Sequence, residues 1–416
     1  MPKRTLDAFF QPSPEISSKR SKADSPPTNE ETNGPPGRHA TYPFDILNLP
    51  SHIESGLVHA TPAHPPRAIR NQPQLDLLHF QPYISRATAN ELFRFLRRGL
   101  PFYRVRYSAR RGDTETVINT PRFTTVFGVD ATSKFVSAST VPGTSNLSHT
   151  PTPPTTTTTS SSNRSDDTNN NDKGTKPAID TNNLILVDAT TNTPIPPTKY
   201  QHAPRPIPPC LDILRQQVEA AAGNTDKNSY NFCLVNYYAS GDDSIAFHAD
   251  DERFLGRDPS IASLSLGGER DFVMKHKPFP AAAAATTTTT TTTTTGAVGG
   301  STSSVGGTIA ASSSMRGGTS NSVSAFASPT SLNGNATPQI KMGLASGDMV
   351  VMQGPTQAHW LHSIPKRKSA EAGKGRINIT FRRAVVPGGT NNYYHYNVGE
   401  GGVYRWEEKE RRMVLT

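Results

Sequence analysis

Apolar residues along this 416-residue chain gather in short alternating runs separated by long polar stretches. The run LDLLHFQPYI (75–84) reads as a strand, and SRATANELFRFLRRGLPF (85–102) as an amphipathic helix. Ser85 or Thr88 can cap the first turn, Leu92, Phe93 and Leu96 form the apolar stripe, and Gly99 and Pro101 stop it. FYRVRY (102–107) alternates with the period of two expected of a strand. NFCLVNYY, DSIAFHAD, IASLSLGG, RDFVMKHK, GDMVVMQG, HWLHSI and RINITFRRAV follow with similar patterning. Many short strands with glycine-rich turns, and one early helical region, predict a mainly β (α+β) domain, a sandwich or barrel-like jelly roll.

The intervening segments lack that periodicity. Residues 1–72 carry recurrent Pro, Ser, Asn and Lys/Arg without an apolar period and are expected to be disordered. Ser/Thr/Asn/Pro runs over 137–180, and an Ala/Thr/Gly/Ser block over 281–338, read as disordered insertions. The folded remainder is then 73–136, a strand and helix extension, and 181–387, the core, with a C-terminal tail over 388–416. That tail reads either as a strand and short helix packed on the domain or as a mobile tag. Only 33% of the residues are hydrophobic. One domain of about 200–250 ordered residues is therefore expected, rather than the two or three that length alone suggests.

A net charge of +9 suits a polyanionic partner. Between residues 86 and 111 arginines are dense and interleaved with Phe102, Tyr103 and Tyr107, which suggests a phosphate-facing surface. The two cysteines make neither a disulfide framework nor a zinc spacing, as expected in a reducing compartment. No apolar run reaches the roughly 20 residues of a membrane span. A soluble intracellular monomer is expected. Two short N-terminal signals refine this. KRTLDAFF (3–10) places Leu6, Phe9 and Phe10 on one side of a helical turn. It resembles the box that binds the replication sliding clamp, with Lys3 where glutamine is usual. SSKRSK (17–22) is of nuclear-localisation type.

Candidate chemistry centres on SIAFHADDER (244–253). His248 and Asp250 share a strand face by the two-residue period, and imidazole plus carboxylate suits a first-row transition metal. A further histidine would complete the facial triad of non-heme Fe(II), and HWLHSIP offers His359 and His362 on opposite faces if extended. In RINITFRR, Arg376, Asn378, Thr380 and Arg382 share one face. The two arginines lie about 20 Å apart along the strand, and their inward-leaning arms leave a gap suited to a small dicarboxylate. Asn236 and Tyr238 share a face in LVNYY and offer neutral hydrogen bonds.

These motifs, in this order, resemble the AlkB family of Fe(II)- and 2-oxoglutarate-dependent dioxygenases, in its DNA-repair branch. The resemblance covers roughly residues 75–386 less the two insertions. It implies a double-stranded β-helix, with 73–136 carrying a nucleic-acid-binding lid. His248, Asp250 and His362 would bind iron, which selects His362 over His359. Asn236, Tyr238, Arg376, Asn378 and Arg382 would hold 2-oxoglutarate. O2 is the second cosubstrate, and N1-methyladenine or N3-methylcytosine in DNA the substrate. Succinate, CO2 and formaldehyde are the products. The same chemistry on RNA, an inactive clamp- or chromatin-associated module, and hydroxylation of protein side chains by a similar jelly roll are the alternatives. Asp251 and Glu252 would face the cationic methylated base. Tyr200 and His202 would contact that base, and Arg122 would lie at the substrate lid. A nuclear enzyme is expected.

Overall fold

The computed structural model describes residues 34–60, 64–111, 113–141, 181–224, 228–278 and 338–416, with Thr32 and Pro62. The clamp-like box, the nuclear signal and most of the two low-complexity insertions lie outside the described residues.

Six helices are present among the described residues: α1 (Ser51–Val58), α2 (Arg86–Gly99), α3 (Pro209–Ala222), α4 (Thr356–His359), α5 (Ala370–Gly373) and α6 (Pro387–Asn397). The strands are β1 (Arg67–Ile69), β2 (Leu77–Phe80), β3 (Phe102–Tyr103), β4 (Arg106–Arg111), β5 (Thr114–Asn119) and β6 (Phe123–Gly128). They continue with β7 (Ser133–Ser137), β8 (Leu184–Asp188), β9 (Phe232–Tyr238), β10 (Ile245–His248), β11 (Ile261–Gly267) and β12 (Arg270–His276). The last are β13 (Gln339–Leu344), β14 (Met349–Met352), β15 (Trp360–Ile364), β16 (Arg376–Arg382), β17 (Val403–Glu407) and β18 (Arg412–Leu415).

Among the described residues all strand pairs are antiparallel. A large sheet runs β1-β2-β14-β11-β16-β9-β6-β3-β17-β18, and a small one β10-β15-β12-β13. Two ribbons, β4-β5 and β7-β8, complete the described strands. This is a jelly roll, and its period of two sorts the side chains into two cores. Ile377, Ile379 and Phe381 of β16 join Leu92, Phe93 and Leu96 of α2 under the helices. Phe232, Leu234, Phe272, Met274 and Trp360 instead form a cluster between the sheets. All seven residues of β16 are buried, so the polar side chains of that strand must find partners inside the protein.

Local chemistry explains the helices. Ser85 Oγ accepts from Thr88 N at 3.1 Å, and Leu92, Phe93 and Leu96 are buried, matching the expected cap and stripe. FYRVRY forms no single strand: β3 ends at Tyr103 and β4 begins at Arg106. The sequence reading missed α3, although its signals are conventional. Pro209 stands in its first turn, Leu211, Leu214 and Val218 make the stripe, and Gly223 closes it at φ 71°.

Order also begins earlier than expected. Within the segment read as disordered, Ile46, Leu49, Ile53 and Leu57 are buried against the helical core, the last two one turn apart in α1. The contacts of that stripe are long-range, which a local composition bias conceals. The C-terminal segment adopts the packed form. α6 is followed by the hairpin β17-β18, which extends the large sheet through β3. Arg97 of α2 lies 3.7 Å over the Trp406 ring of β17.

Candidate active site

The space between the sheets is a cavity of about 540 Å³ whose lining includes His248, Asp250, His362, Arg376 and Arg382. Antiparallel pairing of β10 with β15 sets His248 directly across from His362, after a bulge that follows Ile245. Their ring centroids are 4.2 Å apart. Asp250 lies just past the end of β10, its backbone N–H donating to Gln357 Oε1 at 2.9 Å. One candidate ligand atom from each of His248, Asp250 and His362 lies within 4.8 Å of the others. His359 ends α4 instead, with its ring stacked on His276 at 6.0 Å.

The donor set fits a divalent first-row metal. His248 Nδ1 lies 2.9 Å from the Ala246 carbonyl, an arrangement in which Nδ1–H donates and Nε2 keeps its lone pair for a ligand. His362 Nδ1 is buried without a hydrogen-bond partner. Burial, then the neighbouring His248, pulls the His362 imidazole down to about 3, so it stays neutral and able to ligate. Burial would raise the Asp250 carboxyl, but the Arg382 guanidinium, with both histidines, outweighs it and holds the group at about 2. The carboxylate is therefore ionised and available.

The two arginines of β16 divide their work differently from the expected symmetric clamp. Arg382 Nη1 lies 3.1 Å from Asp250 Oδ1 and donates to the Tyr393 phenol at 3.1 Å. Its charge is thus engaged by the candidate metal ligand. Arg376 has no carboxylate partner among the described residues. Its Nη2 donates to Ser265 Oγ at 2.9 Å, whereas Nε and Nη1 are buried without hydrogen-bond partners. Burial pulls its guanidinium down to about 10, with the nearby Tyr238 phenol acting the other way. An unpaired buried guanidinium beside an open cavity is the chemical signature of an anion site.

The remaining expected 2-oxoglutarate residues line the same cavity as Arg376. Tyr238 places its ring 5.4 Å from that guanidinium. Asn378 Nδ2 donates to Ser263 Oγ and to the Leu264 carbonyl, which leaves its oxygen for the cavity. Asn236 Oδ1 accepts from Arg122 Nε at 2.7 Å, so Arg122 lines the cavity wall and fixes Asn236. Sequence reasoning did not single out Gln357, Ser263, Ser265 or Tyr393. The serines alternate on β11 directly across from β16, at register positions Ser263↔Thr380 and Ser265↔Asn378.

The expected base-contact residues separate. Glu252 lines the cavity, with Oε2 buried and unpartnered. Burial first, then the charge of Asp250, raises its carboxyl above the ordinary range. Asp251 does not line the cavity: it turns outward to Lys277 Nζ at 2.5 Å. Tyr200 is buried and donates to Asp130 Oδ2 at 2.8 Å, outside the cavity. His202 sits beside His395 at 6.1 Å and is also absent from the lining. The α2 arginines are behind the large sheet, on the side opposite the cavity, so the expected phosphate surface there does not adjoin the site.

Residues 160–382 match the family model of the 2OG-Fe(II) oxygenase superfamily. Human "DNA oxidative demethylase ALKBH2" is 30% identical over 184 residues, covering 44% of this chain and 49% of that protein. The Arabidopsis thaliana protein of the same name is 32% identical over 176 residues, covering 42% and 43%. Human "Alpha-ketoglutarate-dependent dioxygenase alkB homolog 3" is 30% identical over 176 residues, covering 42% of each chain. The chain spans less than half the length of these curated relatives. With more than half of its own length matched by the family model, the chain belongs to the 2OG-Fe(II) oxygenase superfamily, and the curated relatives it resembles are AlkB homologues.

Proposed function

We propose that this protein oxidatively removes N-methyl groups from N1-methyladenine and N3-methylcytosine in DNA, consuming 2-oxoglutarate and O2. The observation that carries this reading is one cavity holding a His/Asp/His cluster beside Arg376, a buried guanidinium with two unpartnered nitrogens. His248, Asp250 and His362 would hold Fe(II). Arg376 would take a carboxylate of 2-oxoglutarate, with Tyr238, Asn236, Asn378 and the remaining donor of Arg382 around it. Fe(II) and 2-oxoglutarate, when bound, supply the oxidation of the methyl carbon. Glu252 is suited to the base itself. Its carboxylate is penalised by burial and by Asp250, and a cationic methylated base relieves both costs, whereas a neutral unmodified base does not.

Formaldehyde release from methylated oligonucleotides, as single- and double-stranded DNA and as RNA, tests the proposal. Turnover of DNA that requires 2-oxoglutarate is expected. Release from RNA alone would move the assignment to RNA, and release from none would overturn it. Within the same assay, Glu252→Gln should raise KM for methylated DNA about 10–100-fold, the worth of one hydrogen bond to a charged group. KM for 2-oxoglutarate should not move. Asp251→Ala, which breaks an exposed ion pair, should change either value less than about two-fold.

Nuclear action, and a contact with the sliding clamp through Leu6, Phe9 and Phe10, belong to the same proposal. They are supported by the N-terminal sequence. Deletion of residues 1–31 tests them, with loss of nuclear accumulation and of clamp binding as the expected results. Among the described residues no helix is long and apolar enough to cross a membrane.

A further inference from the structure

The family match ends at residue 382, yet the chain beyond it returns to the cavity. Asn392, Tyr393, Tyr396 and Asn397 of α6 line it, and their spacing of one and four residues puts them on one helical face. α6 is held there by buried polar contacts. Thr390 donates to Asp130 Oδ2 at 2.6 Å, and Tyr200 donates to the same oxygen. Thr124 donates to the Asn397 carbonyl at 2.8 Å, and Tyr394 to the Gly128 carbonyl at 3.1 Å. Tyr200 thus shares the carboxylate that anchors α6. At Gly389 an added Cβ would stand 2.9 Å from both Phe254 and Ala384, so the helix start is seated closely on the domain.

Tyr393 is the residue that this seating delivers. Its ring is buried between Phe232 and Phe254, with centroids at 4.9 and 5.4 Å. Its phenol accepts from Arg382 Nη1, the nitrogen that also pairs with Asp250 Oδ1. Arg382 Nε has no hydrogen-bond partner. The phenol and the carboxylate oxygen thus hold the same guanidinium nitrogen from two sides. With Oδ1 of Asp250 committed to Arg382, Oδ2 is the oxygen turned towards His362 Nε2, at 3.9 Å.

We infer that Tyr393, from a helix beyond the family-matched segment, is a positioning residue that orients Arg382 against Asp250 and thereby sets the carboxylate for the metal. The inference rests on the reading of His248, Asp250 and His362 as metal ligands. Partners of metal ligands commonly change metal affinity 10–100-fold when removed.

The test uses the full chain and Co(II) as the probe, read by its visible absorption and by titration, without turnover. Tyr393→Phe removes one oxygen and keeps the ring. It should weaken Co(II) binding about ten-fold and alter the absorption band. In an Arg382→Gln background the same substitution should add nothing, because residues acting through one another are not additive. Unchanged affinity and spectrum in Tyr393→Phe would overturn the inference, provided His362→Ala loses Co(II). An equal loss with or without Arg382 would overturn it as well, since that pattern marks a general packing role. If wild type and His362→Ala bind Co(II) alike, the metal assignment fails and the inference falls with it. Thermal melts of each variant confirm that the folded protein is being compared.

Discussion

Arg376→Met is expected to abolish 2-oxoglutarate binding while leaving the ligand-free protein at least as stable as wild type. Arg376 is 2% exposed, and among its nitrogens only Nη2 has a hydrogen-bond partner. A carboxylate meeting the other two nitrogens makes two charge-assisted hydrogen bonds, each worth about 1.5–3 kcal/mol. Their loss raises KM for 2-oxoglutarate about 100-fold or more and takes turnover at ordinary concentrations to background. Without the ligand, however, the guanidinium is a desolvated charge lacking a counter-ion. Replacing it with an apolar side chain of similar length is neutral or stabilising. Titration of 2-oxoglutarate and a thermal melt without it read the two effects separately. Wild-type 2-oxoglutarate affinity in the variant would remove Arg376 from the site.

Asp250→Asn should have the opposite effect on stability, although it too removes one buried charge. Asp250 is paired, and its loss strands Arg382 inside the protein with only the Tyr393 phenol. Breaking a buried pair from one side costs about 3–5 kcal/mol. For a domain of this size that lowers Tm on the order of 10 °C. Metal binding and turnover should be lost together, since an amide is a poor substitute for the carboxylate ligand. The pH dependence has a definite sign. Asp250 is held at about 2 when folded, below its ordinary value of 3.8, so its stabilisation is present above about 4 and lost as pH falls towards 2. The His362 imidazole is held at about 3, below its ordinary 6.5, so acid favours the unfolded chain, which takes up that proton first. The contribution of His362 to the stability of the metal-free protein should therefore be lost as pH falls from about 7, seen as the difference between wild type and His362→Ala, and added metal should oppose the loss. Circular dichroism across pH 4–8 measures this. A flat or inverted profile that His362→Ala leaves unchanged would contradict the neutral, buried imidazole.

The two substitutions also show where reading the sequence reached its limit. RINITFRR placed Arg376 and Arg382 on one face, and β16 has them there. The sequence reading treated them as equal arms of one clamp. Which arginine is free depends on Asp250, which lies 132 positions earlier and reaches Arg382 only through the packing of the small sheet on the large one. The same limit applies to Asp251 and Glu252. They are adjacent, identically charged and alike in local pattern, yet one meets Lys277 in the open and the other enters the cavity.

What the sequence determined by itself was local and periodic. The two-residue alternation of β9, β11 and β16 and the capped and striped α2 are set by backbone geometry within a few residues, whereas Asp250 lies past the end of β10 and not on the strand face that its spacing from His248 predicted. α3 is legible by the same rules, with Pro209 in its first turn and Gly223 at its end. The tertiary structure alone decided the pairing of charges, the order of residues 34–60 and the role of α6. α1 is short and its apolar stripe sparse, so its stability comes from contacts with α2 and α3. α6 has no clear apolar period, and it reaches the cavity because Thr390, Tyr394 and Asn397 find buried partners more than 250 residues earlier. Partners so distant in sequence leave no local pattern, and the free energy that selects them exists only once the two sheets have closed on one another.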